Sequence, residues 1–183
     1  MNDILSLLKA LENRISKSEV IRLAGAAETD FSLNDLLQLT LNTEHPSVAF
    51  RSSWLLETIV INHPVKFSPY TYHFLEIYSL QTNPGCQRLF TKVMMLCLKN
   101  TEFGSKKYEN ILDRIVEATF DWLAGDTPVA VKVNCMDVLY LLKSRKRWIE
   151  EELKAQIEFL MRDGSPAIQS RGRRLLQQFK TTI

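Results

Sequence analysis

The chain has 183 residues, of which 45% are hydrophobic and 24% are charged. This composition is typical of a folded soluble protein and excludes a disordered segment, and the length is that of one ordinary domain. The longest apolar runs, such as Val93–Leu98, are far shorter than the ~20 residues that a membrane helix needs. The net charge is +2, and the excess of positive charge lies in the C-terminal half, where it forms a modest basic patch well below that of a dedicated nucleic-acid binder.

The N-terminal segment predicts an amphipathic helix from about Asn2 to Lys17. Its apolar residues recur at three- and four-residue steps and include Ile4, Leu5, Leu8, Leu11 and Ile15. Acids interrupt the apolar positions, so an export signal is not indicated and we expect a cytoplasmic protein. A short second helix is predicted from Ser18 to about Ala27, so residues 1–28 form a pair of N-terminal capping helices.

Helical periodicity continues along the rest of the chain, and no segment shows the alternating pattern of a strand. The helices are predicted to form pairs over residues 32–62, 68–100, 105–144 and 148–180. Ser32, Ser68 and Ser105 open the first helices of three pairs, and the residues from Asn100 to Ser105 are expected to form a surface loop. Gly125 and Gly164 are expected to end two first helices in the left-handed cap conformation.

A proline starts the second helix of every pair. Pro46, Pro84, Pro128 and Pro166 are separated by 38, 44 and 38 residues, the period of a stacked helix pair. Proline suits the first helical position because its missing N–H would be unpaired there and its ring presets φ. The spacing therefore predicts an all-α repeat in which each pair buries its apolar face against the next.

The apolar positions counted from these prolines predict the packed face of each second helix. Three offsets share one side of a helix: two, ten and thirteen residues after the proline. The first offset contains Val48, Cys86, Ala130 and Ile168, the second Leu56, Met94, Val138 and Leu176, and the third Ile59, Cys97, Leu141 and Phe179. These positions are predicted to be buried. Because Cys86, Cys97 and Cys135 form no C-x-x-C pair, we expect buried thiols and no zinc site.

The proline-led helices resemble the second helix of HEAT repeats, in which a turn with Pro and Asp precedes Val-Arg-x-x-Ala and a later Leu. The best match is the third unit, with Asp126, Pro128, Val131, Lys132, Cys135 and Leu139. The alanine place is instead occupied by Trp54, Thr91, Cys135 and Arg174 in the four units. The resemblance covers roughly Ser32 to Lys180 and extends to armadillo-like repeats. Together with the N-terminal capping helices, we expect a single α-solenoid domain over residues 1–183. The resemblance implies a right-handed α-α superhelix whose second helices line a concave face, and in most members a scaffold or peptide-binding role.

Basic residues recur once in each second helix near the same place. They are Arg51, Arg88, Lys132 and Arg171, with Lys92 and Arg174 one turn further along two helices and Trp54 as a candidate apolar anchor. Stacked helices would align them into a stripe, here called the basic ladder, which suits an acidic peptide or a phosphate backbone. The alternative interpretation is that each base pairs with a turn acid of its own or a neighbouring repeat, as the resemblance implies.

Three hypotheses for function follow. The leading one is a non-enzymatic scaffold that binds a protein segment or acidic peptide on the concave face, with no catalytic residue, cofactor or metal site, because no catalytic or metal-binding motif is found. The second is a nucleic-acid-binding or alkyl-base repair protein, for which Trp54, Trp122, Trp148 and Tyr140 supply aromatic rings and Asp137 a carboxylate. The third is self-association through the last helix, with Leu175, Leu176 and Phe179.

Overall fold

The computed structural model of the protein describes residues 4–100 and 108–181, and helices dominate these residues. The first seven are α1 (Ile4–Glu12), α2 (Lys17–Gly25), α3 (Leu33–Leu39), α4 (Pro46–Asn62), α5 (Pro64–Phe67), α6 (Thr71–Tyr78) and α7 (Pro84–Asn100). The others are α8 (Glu109–Ala124), α9 (Val129–Leu142), α10 (Arg147–Met161) and α11 (Pro166–Thr181). Short 3-10 turns occupy Ser68–Tyr70 and Lys143–Arg145. Between these helices the described chain contains no strand, only an isolated bridge from Ala27 to Phe31, so the predicted all-α class is confirmed.

The helices group into two compact units, Met1–Cys97 and Leu98–Ile183. In the first unit, α4 packs against α1, α2 and α3. In the second unit, α9 packs against α8, α10 and α11. The predicted single domain over the whole chain stays a prediction.

The N-terminal helix ends earlier than the periodicity predicts. A capping box at Ser16 starts α2: the Glu19 amide donates to Ser16 Oγ (3.2 Å), and the Ser16 amide donates to Glu19 Oε2 (2.7 Å). These hydrogen bonds lower the pKa of Glu19. The prediction of one helix to Lys17 was therefore wrong, because the capping bonds at Ser16 favour a new helix start over continued periodicity. The buried positions of α1 are Leu7 and Leu11, whereas Leu5 is 66% exposed.

The helix predicted from Ser68 to about Leu80 is instead a 3-10 turn at Ser68–Tyr70 followed by α6, and the short helix α5 precedes it. The side chains of this segment hold the turn between α2 and α3: Lys66 Nζ donates to the carbonyls of Gly25 (2.6 Å) and Ala27 (3.1 Å). Tyr70 Oη donates to Glu28 Oε2 (2.7 Å). These long-range contacts break the regular helix. The predicted helix start at Ser105 lies outside the described residues, as do residues 101–105 of the predicted loop.

Proline occupies the first position of α4, α7 and α11, as predicted. In α9, however, Pro128 has an extended conformation (ψ 147°) and precedes the helix, which starts at Val129. The packed face of α9 therefore moves by one residue at two of its three offsets. Val131 and Leu142 are buried in place of the predicted Ala130 and Leu141, both of which are exposed. The predicted Leu176 is also only half-buried, while its neighbour Leu175 is buried.

The other predicted positions on the second helices are buried, namely Val48, Leu56, Ile59, Cys86, Met94, Cys97, Val138, Ile168 and Phe179. Aromatic contacts add to this packing in the first unit, where Phe74 of α6 lies 5.2 Å from Phe90 of α7 between ring centroids. In the second unit, Gly172 allows α11 to approach α10, since a Cβ there would lie 3.0 Å from Ile157 Cγ2 and closer still to Met161.

The predicted left-handed caps at Gly125 and Gly164 were wrong. No glycine of the described chain has positive φ. Gly125 is extended (φ −71°, ψ −179°), and its amide donates to the Asp121 carbonyl (2.9 Å). Thr127 Oγ1 donates to the Trp122 carbonyl (2.6 Å), so a side chain takes over part of the capping. At Gly164, a Cβ would overlap the Leu160 carbonyl and Ile168, so close contact rather than a left-handed backbone favours glycine there.

The register of α9 can be tested with two adjacent leucines. Leu142 is 3% exposed and Leu141 is 37% exposed. Replacing Leu142 by Ala should lower the free energy of unfolding by about 2–5 kcal/mol, because it leaves a cavity. The matched Leu141→Ala change should cost less than about 1 kcal/mol. Urea unfolding measures both, and equal losses would contradict the register.

Candidate binding face of the second helices

The residues of the basic ladder lie on four second helices in two units. Arg51 and Trp54 lie on α4 and Arg88 and Lys92 on α7, in the first unit; Lys132 lies on α9 and Arg171 and Arg174 on α11, in the second. Arg88 and Trp54 are both half-buried. Several of the remaining bases contact groups within their own unit, and these contacts define what each can offer a partner.

Arg51 stabilises the end of α1. Its Nη1 donates to the carbonyl oxygens of Leu11 (2.8 Å) and Glu12 (3.0 Å). These carbonyls belong to the last turn of α1, where the helix itself supplies no amide donor. A guanidinium at this position also interacts favourably with the negative end of the helix dipole. Arg51 therefore holds α1 against α4, a role that the sequence analysis did not assign to it.

Lys92 forms an ion pair between two second helices of the first unit. Its Nζ lies 2.9 Å from Oε1 of Glu57 on α4. The lysine side chain is 41% exposed, whereas that of Glu57 is only 11% exposed. A carboxylate buried to this degree is costly without a partner, so Lys92 offsets the desolvation of Glu57.

The second unit repeats this arrangement around Asp137. Arg171 Nη1 donates to Asp137 Oδ2, and Arg174 Nη2 donates to Oδ1 at 3.3 Å. Arg174 follows its proline by eight residues, as Lys92 does, so equivalent bases meet an acid on the preceding second helix of their unit. Internal pairing thus occurs for these three bases. The acids lie within second helices, however, and not in the turns as the alternative interpretation expected.

The basic helix α11 retains an exposed positive surface after this pairing. It carries Arg171, Arg173, Arg174 and Lys180 and contains no acid. The side chain of Arg174 is 56% exposed, and Arg173 and Lys180 are exposed as well. Beside them, Lys132 on α9 is half-buried, and no acid of the described chain lies within ion-pair distance of it. Of the predicted site residues in the second unit, the structure brings Arg171 and Arg174 together at the carboxylate of Asp137.

Two surface grooves lie beside the second helices, and the sequence analysis missed both. In the first unit, a cavity of about 290 Å³ is lined by Leu41, Asn42, Thr43, Pro46, Leu80, Gln81, Thr82 and Asn83. In the second unit, a cavity of about 320 Å³ lies between the start of α9 and the turn from α10 to α11. Phe159 in this second cavity is 63% exposed. The buried residues of α10 are Ile149, Leu153 and Ile157, and Phe159 lies outside this stripe. The sequence alone contains this departure from helical periodicity and could have revealed the exposed ring.

The cysteine thiols and two of the apolar residues proposed for self-association are buried. Among residues 4–100 and 108–181, no cluster of three or more His, Cys, Asp or Glu side chains could hold a metal ion. Burial raises the pKa of Cys97 to about 12 and also raises the pKa of Cys86 and Cys135. Leu175 and Phe179, proposed for self-association, are buried within the protein itself. No helix in the described part of the chain is long and apolar enough to cross a membrane.

The family model for the HEAT repeat domain matches residues 7–179, and the chain therefore belongs to the HEAT repeat family. This match confirms the predicted helical-repeat fold. HEAT repeat proteins are typically non-catalytic helical scaffolds that often mediate protein interactions. No curated protein and no solved structure shows significant similarity to the chain.

The role of Arg51 predicts a loss of stability without any ligand. Replacing Arg51 by Met keeps most of the aliphatic stem but removes both hydrogen bonds to α1, so the free energy of unfolding should fall by about 1–3 kcal/mol. Arg14, an exposed arginine between α1 and α2, provides the control. Urea unfolding of Arg51→Met and Arg14→Met measures the difference, and similar values would show that Arg51 does not support α1.

The buried thiols predict slow reaction with a thiol reagent. The thiolate is the reactive form, and a pKa near 12 leaves only about one Cys97 side chain in ten thousand ionised at pH 8. We expect native protein at pH 8 to react slowly with Ellman's reagent, and protein unfolded in urea to release all three thiols quickly. Fast reaction of the native protein would indicate that a cysteine is accessible.

Proposed function

We propose that the chain is a non-catalytic scaffold that binds an acidic segment of another protein across α9 and α11. The observation that carries this proposal is the charge of the face formed by these helices. Lys132, Arg171 and Arg174 contribute three positive charges, and Asp137 contributes one negative charge. Since α11 carries no acid, the excess remains unbalanced along its length.

Arg174 is the base best able to reach a ligand. Its distance to Asp137 is longer than a strong charged hydrogen bond, and more than half of its side chain is exposed. Asp137 keeps its bond to Arg171 when Arg174 leaves, so exchange of the exposed Arg174 from Asp137 to a carboxylate of a partner leaves no buried charge without a partner. Arg171 is more buried and stays with Asp137, which keeps α11 aligned with α9.

A protein partner fits this face better than a nucleic acid. Asp137 accepts hydrogen bonds from both arginines and would repel a phosphate backbone as much as a carboxylate, so the choice between the two partners rests on the aromatic rings. Of the four aromatic rings named for base recognition, Trp122 and Tyr140 are buried or packed, whereas Trp54 is half-buried and Trp148 is 45% exposed. Trp122 is 7% exposed, Trp148 lies 5.7 Å from Phe120, and Tyr140 lies 5.1 Å from Phe179 between ring centroids. The contact roles of Arg51, Arg88, Lys92 and Trp54 stay predictions.

Two substitutions at this face should change affinity in opposite directions. Arg174→Gln removes a base and should weaken binding of a labelled glutamate-rich peptide about two- to fivefold, whereas Asp137→Asn releases both arginines and should strengthen binding by a similar factor. Fluorescence anisotropy measures both. Lys9→Gln, which removes an equal charge from the exposed surface of α1, is the matched control and should leave binding unchanged.

The same titration distinguishes the alternatives. A lysine-rich peptide and a neutral peptide should not bind. A labelled DNA duplex should bind more weakly than the acidic peptide at both about 50 and 200 mM salt. Tighter binding of DNA, or an acidic peptide whose affinity responds equally to Arg174→Gln and Lys9→Gln, would contradict the proposal.

A further inference from the structure

The groove beside α9 in the second unit combines apolar walls with an unbalanced cation. We call it the turn groove; it is lined by Val129 and Lys132 of α9, Phe159 and Leu160 of α10, Ile168 of α11 and the residues between α10 and α11. Its volume of about 320 Å³ lies at the lower end of the range for small-ligand sites, which suits one large side chain rather than a whole cofactor.

The apolar walls of the turn groove are left in contact with water. Phe159 is 63% exposed and Val129 is 42% exposed, although both border a concave surface. The guanidinium of Arg162 lies over the Phe159 ring, 5.8 Å from its centre, so a cation lies above one face of the ring. Burial of these walls by an apolar side chain would gain free energy in proportion to the area removed from water.

The polar groups of the turn groove favour a negative charge. Lys132 has no acid of the described chain within ion-pair distance, and the groove contains Lys132 and Arg162 against the single acid Asp163. The groove also borders the starts of α9 and α11, where the helix dipoles are positive, and the end of α10, where the dipole is negative, so positive helix ends outnumber the negative one. Ser165, just before α11, has a buried Oγ without a hydrogen-bond partner, so it does not cap the first-turn amides of that helix.

We infer that the turn groove binds a large apolar side chain of the partner segment together with an adjacent carboxylate. The apolar side chain packs between Val129, Phe159 and Ile168, and the carboxylate faces Lys132. This inference rests on the proposed function and adds the chemistry of the segment: an acidic residue or chain end next to an aromatic or long aliphatic residue. An acidic segment is sufficient for contact with α11. The turn groove requires a segment that has both a carboxylate and an adjacent large apolar side chain.

Small ligands can test this pairing without knowledge of the partner. N-acetyl-L-tryptophan has an indole and a carboxylate, N-acetyl-L-tryptophanamide has the indole alone, and N-acetylglycine has the carboxylate alone. Titration of the isotope-labelled protein, followed by NMR, should shift the amides of Val129, Lys132 and Ile168 with the first compound. We expect N-acetyl-L-tryptophanamide to bind about two- to fivefold more weakly than N-acetyl-L-tryptophan, because it lacks one partly exposed charge pair. N-acetylglycine should not bind measurably.

Variants locate the binding within the groove. Phe159→Ala should weaken N-acetyl-L-tryptophan about tenfold, because it removes the largest apolar wall. Trp148→Ala is the matched control, since Trp148 is another exposed aromatic on α10 but is not part of the groove. Lys132→Gln should lower the affinity for N-acetyl-L-tryptophan to that for N-acetyl-L-tryptophanamide. Lys180→Gln on α11 should leave the affinity for both compounds unchanged.

Each outcome bears on the inference. Equal affinity for the acid and the amide, shifts confined to other residues, or no binding at millimolar ligand would overturn it. The proposed function fails separately, because it depends on Arg174 and on the glutamate-rich peptide. Arg174 does not line the turn groove, so Arg174→Gln should leave binding of N-acetyl-L-tryptophan unchanged.

Discussion

Contact between successive second helices within each unit is the interaction on which the rest of the structure depends. In the first unit, α4 and α7 approach so closely that a Cβ on Gly85 would lie 3.1 Å from the ring of Phe50. In the second unit, α9 and α11 meet through the rings of Tyr140 and Phe179. An amphipathic helix pair cannot cover its own apolar face, so these contacts bury apolar surface that the pair alone would leave exposed.

The same contacts determine which charges are available at the surface. Glu57 and Asp137 lie where two second helices meet, and their side chains are 11% and 15% exposed. A carboxylate this buried requires a base on the neighbouring helix, and Lys92 and Arg171 provide it. Packing therefore accounts for part of the regular series of bases. On the proposed function, a base is available for binding only where its second helix carries more bases than the neighbouring helix has acids.

The sequence predicted the helices best where a local rule acts alone. Proline fixes φ and lacks an amide, so Pro46, Pro84 and Pro166 start helices in any context. Pro128 was misplaced by one residue because its extended ψ, which places it before α9, is not encoded by the proline ring. The partner of Arg51 could not be predicted, since the Leu11 carbonyl is forty residues away and carries no side-chain signal. The turn groove was missed for a related reason: its walls come from three helices.

Electrostatics and apolar contact have separate roles in the second unit. Bases along α11 attract any acidic chain, and such attraction is weak and falls with salt, so it provides little discrimination between partners. The turn groove has a defined volume and apolar walls, and burial in such a site depends on the size and shape of the side chain that enters. Lys132 lines the groove and belongs to the basic ladder. On the proposed function, specificity arises where the two features meet at Lys132, because only a segment with an apolar side chain beside its carboxylate satisfies both.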